Sequence, residues 1–418
     1  PFLNNTNIQS STHSPLGIKK VNSLYAAVNL AYDDFMYLDL TARNDWSSTL
    51  AKDNRSYFYP SASYSILVDR FIDPSKEFLN MFKLRASWAQ VGGDTGVYQL
   101  YQTFSVPQDD YLGLTVLNGP TVKLKPDLKP ETITSSEFGF ETSFFGNRLY
   151  TDFSFYSIKN EDMIFNVPVA PATGYSFFKE NIGEVENKGV EIMIGGKPIQ
   201  TENFTWDVNL NFSRNKNKLV KLFDGLDSFS LNSLGTLTVQ ATVGGGIGDL
   251  YGSTWRTNEN GERIVTSDGY PLATSGGERS LLGNSQPDWI GGITNTFTYK
   301  NLSLRFLVDA RVGGEIYSAT SSYLDAAGVS ERTLQYRDGI VIDAVDAETG
   351  EPNTAGITGQ QYWGAISGID ENYVYDQTNF RLRELALNYS FSSSLLDNTG
   401  INSASIGIIG RNLFYIYR

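Results

Sequence analysis

No cysteine occurs among the 418 residues, and histidine occurs once, at His13. Disulfides, thiolate nucleophiles and cysteine-based metal sites are excluded together. Any site needing two imidazoles is excluded too, which removes most zinc and hydrolytic chemistry. Basic residues are outnumbered, 33 Lys+Arg against 46 Asp+Glu, for a formal net charge of −13. A nucleic-acid partner is not expected, because phosphates need a basic face. No apolar run approaches the roughly 18 residues of a membrane-spanning helix. A helical membrane protein is ruled out.

What is abundant is aromatic: 25 Phe, 24 Tyr and 6 Trp. Yet the mean hydropathy is only −0.26. A transmembrane β-barrel reconciles the two, since alternate residues of each strand face lipid and water and the average cancels. The alternation is explicit. Phe204, Trp206, Val208, Leu210 and Phe212 share one parity, while Thr205, Asp207, Asn209, Asn211 and Ser213 share the other. Segments 35–43, 81–91, 136–145 and 302–312 repeat the pattern. These stretches match tilted transmembrane strands of about 9–11 residues better than the 5–6 usual in soluble sheets.

Twelve strands are expected, at 20–32, 35–44, 56–68, 81–91, 133–145, 148–159, 186–196, 203–214, 288–299, 302–312, 378–391 and 403–417. Tight turns at Asp33–Asp34, Gly146–Asn147 and Lys300–Asn301 alternate with long polar stretches at 92–132, 159–187, 214–287 and 313–378. Short periplasmic turns and long external loops are the outer-membrane arrangement. Followed strand by strand, this direction leaves both chain ends on the external side. Single-chain bacterial barrels have an even strand count with both termini in the periplasm, so residues 1–418 are expected to be an internal part of a longer barrel.

Candidate chemistry is sparse. Gly244-Gly-Gly-Ile-Gly248 lacks the Lys-Ser/Thr of a phosphate loop and reads as a hinge. Neither Asn258-Glu-Asn-Gly261 nor the acidic set Asp338, Asp343, Asp346 and Glu348 has calcium-loop spacing, so no metal or other cofactor is expected. Glu137 and Glu141 resemble a glycosidase pair only superficially; alternation puts both on one strand face. With no nucleophile–base pair, the chain is not expected to be an enzyme. The polar parity carries both signs, with Arg43, Lys83, Arg85, Glu137, Glu141, Asp207, Arg305, Asp309 and Arg311 predicted on the lumen wall. Tyr251, Trp255, Tyr362, Trp363, Tyr373 and Tyr375 lie in the two longest loops near Asp249 and Asp370. Rings beside carboxylates suit a sugar or peptide ligand; loop-on-loop packing or membrane-interface girdling would use the same residues.

The wording of the sequence adds a family. Asn181-Ile-Gly-Glu-Val-Glu-Asn-Lys-Gly-Val-Glu191, Arg43-Asn-Asp-Trp-Ser-Ser-Thr49, Leu128-Lys-Pro-Glu131, the run from Phe204 to Asn217, and Gly410-Arg-Asn-Leu-Phe414 occur in order. Together they resemble the SusC/RagA family of TonB-dependent outer-membrane transporters, typical of Bacteroidetes. The resemblance implies a 22-stranded, plugged barrel, with nine strands before Pro1 and one after Arg418. It implies import of oligosaccharides or peptides, energised by TonB acting on a plug domain outside this sequence. It also implies a SusD-like lipoprotein partner and a dimer of transporter–lipoprotein pairs. An iron–siderophore or vitamin receptor, or a surface adhesin or structural barrel, would share the same wall.

Overall fold

The computed structural model describes residues 16–72, 78–106, 114–223, 225–275, 278–397 and 400–418; His13 lies outside them. Twelve long strands form one antiparallel sheet: β1 (Val21–Tyr32), β2 (Met36–Ser47), β3 (Ser56–Leu67), β4 (Leu79–Gly93), β5 (Glu131–Phe144), β6 (Leu149–Glu161), β7 (Glu184–Gln200), β8 (Phe204–Lys221), β9 (Trp289–Tyr299), β10 (Leu302–Val312), β11 (Asn379–Ser390) and β12 (Ser405–Tyr417). Each strand pairs with its chain neighbours in an uninterrupted meander, with β1 and β12 at the edges. The predicted strands all occur.

The turns explain the connectivity. Asp33 and Asp34 take φ of 48° and 56°, Gly146 and Asn147 both take 65°, and Lys300 takes 51°. Left-handed turn residues match the twist of tight hairpins, and Asp, Asn and Gly tolerate that region best. Register then fixes which side chains share a face. One row runs Met36, Ile66, Leu84, Phe140, Phe153, Ile192 and Phe212 across seven strands. Phe140 and Phe153 stack at 5.1 Å. Along this face Leu30, Phe138, Leu387 and Ile408 are 46–77% exposed. An apolar surface of that extent needs a nonaqueous neighbour, and among the described residues no second layer covers it. This is a transmembrane antiparallel β-barrel wall.

Two features depart from the sequence expectation. β8 continues well past 214 to Lys221, opposite Glu184 of β7, and β7 runs past 196 to Gln200 at the turn end. Beyond the bilayer their faces carry Lys and Asn, so the hydropathy signal stops while the backbone ladder continues. The long polar stretches are also not structureless. Residues 228–234, 237–242, 247–252 and 280–284 make a four-stranded sheet, and 122–123, 164–168 and 177–181 a smaller one. Helices α1 (Ala319–Ala326) and α2 (Gly359–Ile366) sit between β10 and β11. Strands this short give too few alternations to stand out from polar sequence. The α2 signal was present, however: Thr358 and Gln361 form a reciprocal capping box.

Candidate functional site

The polar face of the wall is organised by ion pairs. Register sets Lys83 opposite Glu141, which in turn faces Asp152. Arg85 bridges them, with Nη1 2.9 Å from Glu141, Nη2 2.7 Å from Asp152 and Nε 3.4 Å from Glu137. Lys83 Nζ lies 3.0 Å from Glu141. A second group joins Arg381 and Asp309 in a two-pronged contact at 2.7 and 2.8 Å, while Glu384 takes Arg305 at 3.7 Å and Arg411 at 3.2 Å. Arg43 pairs with Asp45 at 2.8 Å. Arg311 donates from Nη2 to the Ser285 carbonyl at 3.0 Å, and its Nε is buried without an acceptor. Thus Arg85, Glu137 and Glu141 come together, whereas Arg305 joins Glu384 and Arg411, and Asp309 pairs separately with Arg381. Arg43 and Arg311 stand apart from these groups. Asp152, Arg381 and Glu384 were missed as partners; Asp152 sits at an alternate position of a predicted strand, but the irregularity between Leu382 and Glu384 breaks the parity that alternation would read.

Above the wall, the stretches 222–288 and 313–378 fold on each other. Trp255, Val265, Ile342, Ile357, Trp363, Ile366, Ile369 and Tyr373 form a buried core, with Tyr362 packed on its margin. Trp255 and Trp363 are 7% exposed, Tyr373 0% and Asp370 1%. Three of the six predicted ligand-contacting rings, together with Asp370, are therefore packed inside the loop unit, the arrangement that loop-on-loop packing requires. Tyr251 and Tyr362 are half-buried, and Tyr375 is exposed. Asp370 accepts hydrogen bonds from the Ser253 amide (2.9 Å) and hydroxyl (3.0 Å) and from Thr236 (2.8 Å), clamping three segments.

A second clamp was invisible in the sequence. Asp325, 1% exposed, accepts from Arg332 Nε at 2.6 Å, from Tyr373 at 2.9 Å and from Ser330. Burial works to raise the Asp325 carboxyl, but the Arg332, Ser330 and Tyr373 hydrogen bonds outweigh it and hold the group below its usual range. Burial and the bond to Asp325 push the Tyr373 hydroxyl well above its ordinary value. The Arg332 guanidinium also lies over the Trp363 and Tyr373 rings, 5.3 and 5.0 Å from their centroids.

The loop unit is tied to the polar side of the wall. Leu219 exchanges backbone hydrogen bonds with Gly244 and Gly245, and Asn217 Oδ1 accepts from the Ile247 amide at 2.9 Å. Asn217 and Leu219 have the parity of Asp207. Gly244, in the turn between two loop strands, has φ of 86°. Asp346 Oδ1 accepts the Glu348 and Thr349 amides, and Asn258 Oδ1 those of Asn260 and Glu262, so both acidic stretches are turns. Among the described residues no group of three or more His, Cys, Asp or Glu could hold a metal.

Three of the family-like strings, at 43–49, 128–131 and 181–191, make joints at the strand tops. Asn181 accepts from the Lys129 amide and donates to the Lys129 and Asp162 carbonyls, so two of the strings meet. Asn54 donates to Asp127 and Leu128, and Ser47 to Asp94. A Cβ at Gly189 would come within 2.3 Å of the Tyr156 ring, so the string's glycine is the seat of a tyrosine.

Residues 2–329 match the family model described as TonB dependent receptor-like, beta-barrel. TonB-dependent receptor P3 of Formosa agariphila is 30% identical, over 94% of this chain and 40% of that protein. TonB-dependent receptor SusC of Bacteroides thetaiotaomicron is 26% identical, over 89% of this chain and 38% of that protein. The solved RagAB peptide transporter superposes with a TM-score of 0.77 at 23% identity, over 98% of this chain and 46% of that chain. The chain spans about 40% of the length of the curated relatives it matches. Strand order, an exposed apolar face, a charged opposite face and the family match agree: this chain belongs to the TonB-dependent receptor β-barrel family and is barrel wall of the Gram-negative outer membrane.

Proposed function

We propose that residues 1–418 form part of the barrel of an importer that brings oligosaccharides or peptides across the outer membrane. Energy comes through TonB, acting on a plug domain, and a SusD-like lipoprotein delivers the substrate, with two such pairs forming a dimer. One observation carries the reading. The two longest loops form a folded unit with its own core, tied to the polar side of the wall through Asn217, Leu219 and Arg311. A passive pore needs no such unit; an importer that must hold a large ligand at its mouth does. Support also comes from the names of similar proteins, SusC among the relatives and a peptide transporter among the solved structures. The protein binds and translocates, and makes or breaks no bond. Ligand contacts fall to the loop rings with open surface, Tyr251, Tyr362 and Tyr375.

Deleting the gene and supplying the cells with defined oligosaccharide or peptide pools tests the proposal. One pool should stop being taken up, and the same loss should follow when TonB is removed. Unchanged uptake of every pool would refute it. Particles extracted in mild detergent should also contain a lipoprotein by intact mass, and barrel chains without one would refute the partnership.

A further inference from the structure

The outward-facing row of β8 changes chemistry abruptly. From Phe204 to Phe212 it is apolar and covers about 26 Å along the strand, close to the roughly 25 Å apolar band of an outer-membrane barrel. The next positions of the same parity are Arg214, Lys216 and Lys218, all exposed. Lys188 of β7 lies directly opposite Lys216. Trp289, whose ring lies 5.7 Å from Phe212, marks the interface where the change occurs, as tryptophan does at membrane boundaries. This is the long-loop end, hence the external leaflet.

Some cations of this face are paired within the protein and three are not. Lys188 pairs with Glu186 at 2.6 Å, and Lys159 with Glu161 and Glu184. Among the described residues Arg214, Lys216 and Lys218 have no ion pair; Glu186, opposite Lys218, is taken by Lys188. In a chain of net charge −13, three consecutive outward positions holding unpaired cations stand against the overall composition. Fixed charge just outside an apolar band meets the lipid headgroups, and their anionic groups are phosphates.

We propose that Arg214, Lys216 and Lys218 bind the phosphate groups of an anionic glycolipid in the outer leaflet. The ladder spacing of about 6.6 Å between alternate residues lets cations engage separate phosphates on one headgroup. The lipid then sits beside the β7–β8 hairpin that anchors the loop unit.

The test uses the full-length protein in mild detergent and counts bound lipid by native mass spectrometry. The probes are lipid A carrying its phosphates and the same lipid stripped of them. Wild type should retain the phosphorylated form preferentially. Each cation is worth about fivefold in affinity, so R214Q/K216Q/K218Q should weaken retention by about a hundredfold. R214K/K216R/K218R should keep it, and K300Q, at the turn end of the wall, should leave it unchanged. Equal retention of the two lipids, or undiminished retention by the triple-glutamine variant, would overturn the proposal. So would an acidic protein bound by wild type and lost from that variant while lipid retention stays constant. If the triple variant fails to fold by heat-modified gel migration, K216Q alone decides: about a fivefold loss supports the proposal, and no loss overturns it.

Discussion

Replacing Asp325 with alanine should open the loop unit while leaving the wall intact. The carboxylate is buried and takes hydrogen bonds from Arg332, Ser330 and Tyr373. Removing one partner of a buried ion pair costs roughly 3–5 kcal/mol. Arg332 is 38% exposed, so water recovers part of its charge and lowers that cost. The Tyr373 hydroxyl, in a residue with no exposed surface, loses its acceptor and adds part of about 1–3 kcal/mol. The net is about 3 kcal/mol, roughly a hundredfold in the opening equilibrium. Hydrogen exchange read by mass spectrometry checks it. Amides in 319–373 should lose protection by about that factor, while β5–β8 amides keep theirs. A change below about fivefold in 319–373, or an equal loss in the strands, would refute the clamp.

The same clamp sets pH limits. The folded Asp325 carboxyl lies below its unfolded value of about 3.9. Its stabilisation is therefore present above that value and lost as pH falls through the folded one. The raised Tyr373 hydroxyl has the opposite sign: its contribution is complete below about pH 10 and lost as pH rises through the folded value. Exchange protection of 319–373 should hold between these limits and fall at both ends; protection that declines steadily from pH 7 to 5 would contradict this. Trp363→Ala should destabilise the loop unit by about 3–5 kcal/mol, read by exchange, whereas Tyr362→Ala should weaken ligand affinity by up to about tenfold with little opening; equal opening in both would remove the ligand role from Tyr362. Arg85→Met leaves Glu137, Glu141 and Asp152 without their bridge and should lower barrel stability by about 1 kcal/mol, read as an earlier heat-modified gel transition; no shift would show that Lys83 alone suffices.

The wall was legible because a bilayer imposes a period of two on every strand. Phe204 to Phe212 shows this most clearly, and each predicted strand has a counterpart. The same cause explains where legibility ended. At Arg214 the strand leaves lipid, alternation of hydropathy stops, and β8 continues unseen to Lys221. In the loops, aromatic residues signalled importance without signalling role. Trp255, Trp363 and Tyr373 are core of a small unit whose contacts join residues about a hundred positions apart, such as Ser253 and Asp370. Asp325 and Arg332 are seven apart in irregular chain, and no periodicity marks such a pair. Some of the family-like strings are joints, and Asn181 with Lys129 shows how two distant strings specify one contact.

The central claim is that one face of this sheet meets lipid and the other an aqueous path. This sequence contains no cysteine, so single replacements along β8 report directly. Asp207→Cys, Asn209→Cys and Asn211→Cys should react in intact outer membranes with a small charged maleimide, while Val208→Cys and Leu210→Cys should stay unlabelled until the membrane is dissolved. Labelling that alternates in this way is the predicted result. Uniform labelling of all five positions, or the reverse alternation, would contradict the account.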